Sequence, residues 1–347
     1  MPAIVTLPFV ESFDHYNIET SKWMIGGAGS AINLTNSGIS RTGIGCCLLT
    51  QISGPQLLFL PLARVVFGGA FFPNGAPAVQ GDFGQIYDLR SINEGTSQVR
   101  IGMYTDGTLV VKNDNDPVAI VIASSAAGVI NPAAYNYIEV DAQIAASASL
   151  TVKVNNTVVI DVSGVRTRVP GTSAVVNQFA LMAIGGVTTG RHDDFYIRDP
   201  KAIGQGLAFY GPIRVRVAVA VSDSTPLLWT PSTGTDHFAL VDEIPPDDGT
   251  TYVSGDTPNQ IDQYLYGISG ISNGASIPVV QHSMDAALVG GGSRALGSSC
   301  GGIVTGDVQV TSVYNMVIVP YELDPVTGLA WVVNDLSVRP FGPAVTG

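Results

Sequence analysis

Apolar and polar residues alternate in this chain over short stretches that end at Gly, Asn, Asp or Pro, and almost no stretch repeats with the period of a helix. The clearest example is the segment 149–162, in which two β-branched runs flank Asn155-Asn156. Asparagine tolerates the positive φ that both central residues of a tight primed turn require. The pattern therefore predicts an antiparallel hairpin here and an all-β fold for the chain.

The segment 137–142 shows the same alternation. Ile138 and Val140 take one face of a predicted strand, and Glu139 and Asp141 take the other. We expect the apolar face to pack into a core and the two carboxylates to face solvent. The alternation thus explains both acids without a catalytic role.

A chain of 347 residues exceeds the usual size of one sandwich domain, so two domains are predicted. We place the first at 1–203, including a second hairpin over 98–112, and the second at 204–347. The second domain opens with a predicted strand over 213–222, in which arginines and valines alternate. This organisation favours two β-sandwiches of jelly-roll type. Further strands are expected at 264–268, 277–281, 306–315 and 316–320.

Charged residues make up only 13% of the chain, whereas there are 40 glycines and 21 prolines. This is about half the charge of a typical soluble protein. A subunit with so few charges exposes much neutral surface, which neighbouring subunits would cover. We therefore expect a homo-oligomer, a dimer or a trimer.

Charge and hydropathy exclude several partners. With a net charge of −12 and 16 Lys and Arg residues, the chain is not expected to bind nucleic acid. The apolar stretch 57–69 is interrupted by Pro61 and Arg64 and is too short to span a membrane. Residues 1–13 lack the basic start and apolar run of a secretory signal, so we expect synthesis in the cytoplasm.

A series of aromatic, glycine-rich and alternating segments runs through the first 200 residues: Phe13, Tyr16 and Trp23, Gly68 to Phe72, Asp106 to Leu109, Tyr137 to Val140, Leu150 to Val162, and Asp193 to Ile197. The order of these elements resembles the concanavalin A-like, or laminin G-like, sandwich of lectins and glucanases. The resemblance implies this fold for the first domain.

Four stretches of the second domain are distinctive: Trp229 to Pro231, His237 to Glu243, Thr251 to Ser254 and Asp324 to Trp331. With these stretches, the domain resembles a module of structural proteins encoded beside the tail and head genes of tailed bacteriophages. A lectin-like domain in front of such a module resembles phage tail, fibre and decoration proteins. The resemblance, and not the composition, implies a place in the virion.

No catalytic residue is predicted. A glucanase of the lectin-like fold needs paired acids that point into a cleft, and a solvated strand face explains Glu139 and Asp141. The four histidines lie in different regions, and none accompanies a nucleophile motif of Ser or Cys. Residues 290–292 are glycines without the ending of a phosphate-binding loop, and are expected to form a flexible loop or an interface contact. We therefore expect no enzymatic activity.

Two acidic clusters are considered as calcium sites. Asp193 and Asp194 follow His192, but a structural role at the start of a strand is favoured. The second cluster lacks the dense alternation of a calcium loop and is favoured as a solvated acidic loop. It comprises Asp242, Glu243, Asp247, Asp248 and Asp256. We therefore expect no metal and no cofactor.

These observations predict a structural component of a tailed-phage particle, exposed on the tail, neck or capsid surface. It would act by assembly with other virion proteins and by contact with the host surface. The first alternative is a receptor-recognition protein of tail-fibre or spike type that binds a host-surface glycan. A secreted glycan hydrolase is the weakest alternative, because the chain shows neither an export signal nor paired acids.

The cysteines generate a testable prediction. Cys46 and Cys47 are neighbours in a candidate strand, so their side chains should point to opposite faces and not bond each other. Cys300 is expected in a flexible loop. Three free thiols are the favoured interpretation, and an intersubunit disulfide from Cys300 or one of the pair is the alternative. Non-reducing electrophoresis after alkylation distinguishes a disulfide from three free thiols. A disulfide predicts a band above the monomer, whereas a monomer band with three labelled thiols would exclude it.

Overall fold

The structure is a computed structural model. It describes residues 4–5, 7–13, 24–25, 32–34, 41, 46–49, 55–74, 83–113, 120–182, 189–201, 209–244 and 246–347. Tyr16 and Trp23, which contribute to the lectin-like resemblance, lie outside the described residues.

The chain divides into two compact units: Met1–Ala202 with Leu207–Arg216, and Ile203–Gly206 with Val217–Gly347. The boundary predicted between 203 and 204 lies outside the described residues. In both units the regular secondary structure is almost entirely β-strand, in mostly antiparallel sheets, which confirms the predicted all-β fold. Within the described residues, no helix has the length and apolar character needed to cross a membrane.

The first unit contains a long series of strands with one 3₁₀ turn, Ile92–Glu94. The strands are β1 (Ile4–Val5), β2 (Phe9–Glu11), β3 (Met24–Ile25), β4 (Ile32–Leu34), β5 (Cys47–Leu49), β6 (Pro55–Leu62), β7 (Arg64–Asn74), β8 (Gly84–Ser91), β9 (Thr96–Met103), β10 (Leu109–Asn113), β11 (Ile120–Ser124), β12 (Asn136–Gln143), β13 (Ala148–Val154), β14 (Thr157–Val165), β15 (Val176–Leu181) and β16 (Thr189–Arg198).

These strands form the two sheets of a β-sandwich, as predicted for the first domain. The first sheet has the order β1-β6-β15-β8-β9-β10-β11, and β3 pairs with β6. The second sheet has the order β14-β13-β12-β7-β16-β5-β4, and β2 pairs with β16.

Aromatic side chains fill the space between the two sheets. The ring centroids of Phe179, on the first sheet, and Phe195, on the second, are 4.7 Å apart in a stacked arrangement. Phe67 meets both Phe179 and Tyr87 edge-on, at 5.0 and 5.4 Å. Because Phe195 points into this core, its neighbour Tyr196 lies on the opposite, outer face of the second sheet.

The second unit is a smaller assembly of sheets. Its strands are β17 (Ala220–Leu227), β18 (Thr230–Pro231), β19 (Val253–Ser254), β20 (Asp262–Tyr266), β21 (Val280–Ala286), β22 (Arg294–Cys300), β23 (Ile303–Val310), β24 (Asn315–Tyr321) and β25 (Phe341–Val345). It also has a 3₁₀ turn, Phe238–Leu240, and the short helix α1 (Val333–Leu336).

Its main sheet has the order β17-β20-β25-β22-β23, and β18-β19 and β21-β24 form separate pairs. The core combines residues from the main sheet with residues from β24 and from the segment before α1. Phe341 occupies its centre, with the rings of Tyr321 and Trp331 at 5.8 and 5.9 Å.

Two predictions for the second unit are wrong. The strand expected over 213–222 begins only at Ala220, because backbone groups of Ile213 and Val215 bond to Arg41 and Asp194 side chains and not to a neighbouring strand. Cys300 was expected in a flexible loop, but it ends β22 and is fully buried, paired with Phe341 in the sheet.

The hairpin over 149–162 is confirmed as β13 and β14, and the hairpin over 98–112 as β9 and β10. Asn155 and Asn156 have φ of 50° and 69°, as the primed turn requires. Both side chains are exposed at the tip.

This turn generates a prediction. Asn156→Val should lower the free energy of unfolding by about 1 kcal/mol or more, because a β-branched residue is disfavoured at positive φ. Asn156→Gly, the matched control, should be neutral or mildly stabilising. Urea denaturation of both variants measures the difference. A Val variant as stable as the parent would show that the positive φ is not required.

Candidate functional site

The outer face of the second sheet is organised around Gly68 on β7. Glu139 on β12 pairs with Gly68 from one side, and Tyr196 on β16 pairs with it from the other. A Cβ atom added to Gly68 would lie 2.6 Å from the ring of Tyr196 and 2.9 Å from Cγ of Glu139. Only a residue without a side chain therefore lets the Tyr196 hydroxyl donate to Oε1 of Glu139, at 2.7 Å.

A bulge in β16 places Tyr196 on this face. Asp193 pairs with Ala70 and Tyr196 with Gly68, so Asp194 and Phe195 together lie opposite one residue of β7. The extra residue lets Asp193 and Tyr196, three positions apart, both point outward. Asp194 accommodates the distortion with a φ of 47°.

Charged side chains surround the Glu139–Tyr196 pair. Lys153 on β13 lies directly across from Glu139. Asp141, two residues further along β12, accepts two hydrogen bonds from Arg64, at 2.7 and 2.5 Å. Since Arg64 occupies both oxygens of Asp141, Glu139 is the carboxylate that remains for other contacts at the centre of the face.

Residues 209–215, called the covering segment below, lie across this face. The ring of Tyr210 packs on Tyr196 at 4.8 Å and on the guanidinium of Arg198 at 4.8 Å. The amide of Gly211 donates to Oε1 of Glu139 at 2.8 Å. Glu139 is consequently 0% exposed, although it lies on the face directed away from the core.

Both ends of the covering segment are fixed by further contacts. At its start, Nζ of Lys153 lies 4.4 Å from the ring centroid of Phe209. At its end, the amide of Val215 donates to Asp194 at 2.8 Å, and Arg41 donates both to the carbonyl of Ile213 and to Asp194, at 2.7 Å each.

The burial of Glu139 changes its protonation chemistry. Loss of solvent raises the pKa of Glu139 above its ordinary value, and the hydrogen bonds from Tyr196 and Gly211 and the charge of Lys153 only partly offset this. Its Oε2 atom has no hydrogen-bond partner among the described residues. Burial also raises the pKa of Tyr196, with the Glu139 charge as the next cause, so its hydroxyl remains a donor.

The prediction that Glu139 and Asp141 face solvent is wrong. The strand and its alternation are as expected, with Ile138 and Val140 fully buried on the other side. The outer face is nevertheless covered, because the covering segment follows the last strand of the sandwich and packs back onto it. Gly68 is a sequence signal for the close approach of Tyr196 and Glu139, but no residue pattern indicated the covering segment.

His192, Asp193 and Asp194 lie inside β16, beyond its start, and contact other parts of the first unit. His192 lies in the core, its Nε2 2.9 Å from the carbonyl of Met182, and burial lowers its pKa to about 4. Asp193 accepts from the backbone amide of Arg41, and Asp194 from its side chain. Within the described residues, no three His, Cys, Asp or Glu side chains are grouped as metal ligands.

The acidic loop of the second unit also makes internal contacts. The hydroxyl of Thr251 lies 3.0 Å from Oε1 of Glu243 and 2.8 Å from Oδ2 of Asp247, so its single hydrogen is shared between two acceptors. Asp256 accepts from the hydroxyl of Thr257 at 2.8 Å. The glycines 290–292 are exposed, as expected of a loop.

Two histidines of the second unit have side-chain partners that the sequence did not reveal. Nδ1 of His237 lies 2.6 Å from Asp262, and Nδ1 of His282 lies 2.7 Å from the hydroxyl of Ser298. Tyr266 also contacts His282, with its hydroxyl 3.0 Å from Nε2 of the histidine. Because Ser298 is 0% exposed, we assign a structural role to the hydrogen-bonded group of Tyr266, His282 and Ser298.

All three cysteines are buried as free thiols. Burial raises the pKa of Cys47 well above its ordinary value and that of Cys300 to about 12, so both thiols are poor nucleophiles. The intersubunit disulfide remains the alternative interpretation, and its formation would require one of these thiols to become exposed.

The sequence matches no protein family and no curated protein. Solved structures do match the sandwich. They include an endo-β-1,4-glucuronan lyase from the fungus Trichoderma reesei, with 11% identity and a TM-score of 0.42 over 55% of this chain and 94% of that chain. A Bacillus licheniformis β-glucanase has 15% identity and a TM-score of 0.36 over 55% and 96%. A carbohydrate-binding module from Bacillus subtilis has 9% identity and a TM-score of 0.34 over 51% and 96%.

These comparisons correct two predictions. The matching proteins are, by name, a glycan lyase, a glucanase and a carbohydrate-binding module, and they give no support to a virion protein. The predictions of a structural phage component and of a chain without enzymatic activity are therefore contradicted. At these identities, the likeness concerns the sandwich fold and assigns no substrate to this chain.

The buried carboxyl generates a pH-dependent prediction. Between the ordinary pKa of 4.5 and the raised value, the native state holds a proton on Glu139 that the unfolded chain releases. The stability contributed by this group is therefore present below that window and is lost as the pH rises through it. Glu139→Gln cannot ionise, so its stability relative to the parent should increase as the pH rises above 4.5. Urea denaturation at a series of pH values measures the free energy of unfolding of both proteins. A difference between them that does not change with pH would contradict the prediction.

Proposed function

We propose that the first unit is a glycan-active domain, that the outer face of its second sheet contacts the saccharide, and that Glu139 transfers a proton at that face. The observation that carries the proposal is the buried Glu139 carboxyl, with one oxygen bonded to Tyr196 and Gly211 and the other without a partner among the described residues. A carboxyl with a raised pKa, at the point where several polar groups converge, is typical of a functional site.

The face offers the groups that saccharide binding requires. The ring of Tyr196 provides a flat apolar surface for the C–H groups of a sugar ring, once the ring of Tyr210 that packs on it is displaced. The carboxyl of Glu139 and the cations of Lys153 and Arg198 provide acceptors and donors for its hydroxyls. They lie on three strands of one rigid sheet, which holds them in a fixed geometry.

Proton transfer is the chemistry that this arrangement supports best. Glu139 shares a hydrogen bond with Tyr196, and its raised pKa keeps a proton available closer to neutral pH than an ordinary carboxyl would. Asp141 lies on the same face, but Arg64 holds both of its oxygens. A reaction that needs one carboxyl–phenol pair therefore fits better than hydrolysis through two free carboxylates.

Access to Glu139 requires displacement of the covering segment. Tyr210 and Gly211 now make the contacts that we assign to a saccharide: a ring against Tyr196 and a donor to Glu139. A bound saccharide would replace these contacts with its own. The covering segment therefore competes with the ligand and lowers its apparent affinity.

The proposal predicts the effect of weakening the covering segment. Tyr210→Ala removes a ring contact of about 0.5 to 1.5 kcal/mol, so saccharide affinity should rise about 2- to 10-fold. Binding is measured by calorimetry against neutral β-glucan and polyuronate oligosaccharides, and turnover by analysis of the released products. Glu139→Gln in the Tyr210→Ala background should retain binding and lose turnover.

Tyr252→Ala is the matched control, because it removes an exposed tyrosine from the second unit. It should change neither binding nor turnover. If neither the parent nor Tyr210→Ala bound any saccharide of the two classes, the proposal would be wrong. If Glu139→Gln retained turnover, Glu139 would not be the group that transfers the proton.

A further inference from the structure

Two cations on the outer face of the second sheet lie against aromatic rings of the covering segment. Nζ of Lys153 lies 4.4 Å from the ring centroid of Phe209, and the guanidinium of Arg198 lies 4.8 Å from that of Tyr210. The stretch 209–213 contains no acidic residue. A ligand that displaces this segment therefore removes a favourable cation–π contact from both side chains.

The neighbouring arginines are already paired with carboxylates. Arg64 forms an ion pair with Asp141, and Arg41 forms one with Asp194. Lys153, in contrast, makes no hydrogen bond and no ion pair with any of the described residues. Its side chain is only partly buried. The ammonium group of Lys153 is therefore available to a ligand once the covering segment is displaced.

The described side chains at the centre of this face carry little negative charge. Burial raises the pKa of Glu139, so this carboxyl holds its proton at pH values at which an ordinary glutamate is charged. Asp141, the next acid along β12, is neutralised by Arg64. Although the whole chain has a formal net charge of −12, Lys153 and Arg198 make the centre of this face cationic.

We propose that the saccharide bound at this face is anionic and that Lys153 binds its carboxylate or sulfate group, an inference that rests on the function proposed above for the same face. An anion replaces the contact that Lys153 loses when Phe209 moves away, and a hydrogen bond between two charged groups is stronger than one to a neutral hydroxyl. Arg198, two residues after Tyr196 on β16, provides a second cation for an extended ligand. Lys153 thus selects the class of saccharide that reaches Glu139.

Calorimetry of the full chain with three oligosaccharides of equal length tests this. They are an oligouronate, its carboxyl-reduced neutral form, and a sulfated derivative of that neutral form. The parent should bind at least one anionic form about tenfold or more tightly than the neutral form, and the tighter of the two identifies the anion. This preference should weaken as the salt concentration rises, because salt screens partly exposed charges.

Substitution of Lys153 tests its role in this preference. Lys153→Met should lower the ratio of anionic to neutral affinity about tenfold, and Lys153→Arg should retain most of it. Loss of the Phe209 contact affects both ligands equally, so the ratio isolates the effect of charge. Lys112→Met is the matched control and should leave the ratio unchanged, because Nζ of Lys112 also lies over an aromatic ring, Phe83 at 4.3 Å, but on the first sheet.

The comparison of ligands in the parent does not depend on a variant folding correctly. Equal affinity of the parent for the neutral and anionic forms would overturn this proposal and leave the proposed glycan-active function intact. A preference that Lys153→Met retains in full would also overturn it. Binding of none of the three forms would overturn both this proposal and the function on which it rests.

Discussion

Glu139 is fully buried on the outer face of the second sheet, and its neighbours in the first unit compensate for the loss of solvent. A carboxyl group can be buried only where its polar atoms are compensated, because the free energy of desolvation is otherwise too large. Here the compensation comes from the Tyr196 hydroxyl and the Gly211 amide on one oxygen, and from the nearby charge of Lys153. Each of these contacts requires a specific position in the fold, so together they fix the register of three strands and the path of the covering segment.

Gly68 makes this arrangement sterically feasible. Any side chain at that position would occupy the space in which Glu139 and Tyr196 meet. The bulge at Asp194 and Phe195 then keeps Tyr196 on the outer face while Phe195 stacks on Phe179 in the core. The bulge in β16 therefore allows Phe195 to pack in the core while Tyr196 contacts Glu139 on the outer face.

Local alternation and turn chemistry were sufficient to predict the hairpins and the all-β fold, because both depend on neighbouring residues. The burial of Glu139 could not be predicted, since alternation assigns a residue to a face but does not show whether another segment covers that face. The strand expected over 213–222 failed for the same reason: Val215 has the alternation of a strand, but its amide bonds to an aspartate 21 residues earlier. Cys300 was assigned to a loop from its neighbours, although its pairing with β25 determines its position.

We propose that the covering segment occupies a saccharide-binding face and is displaced by the ligand. Hydrogen–deuterium exchange at the amides of Gly211 and Val215, with and without saturating oligosaccharide, reports on this displacement. Both amides are hydrogen-bonded to carboxylates of the sandwich and should exchange slowly in the free protein. We expect bound saccharide to accelerate their exchange. Saccharide binding that leaves both amides equally protected would show that the ligand lies elsewhere and that the covering segment is not displaced.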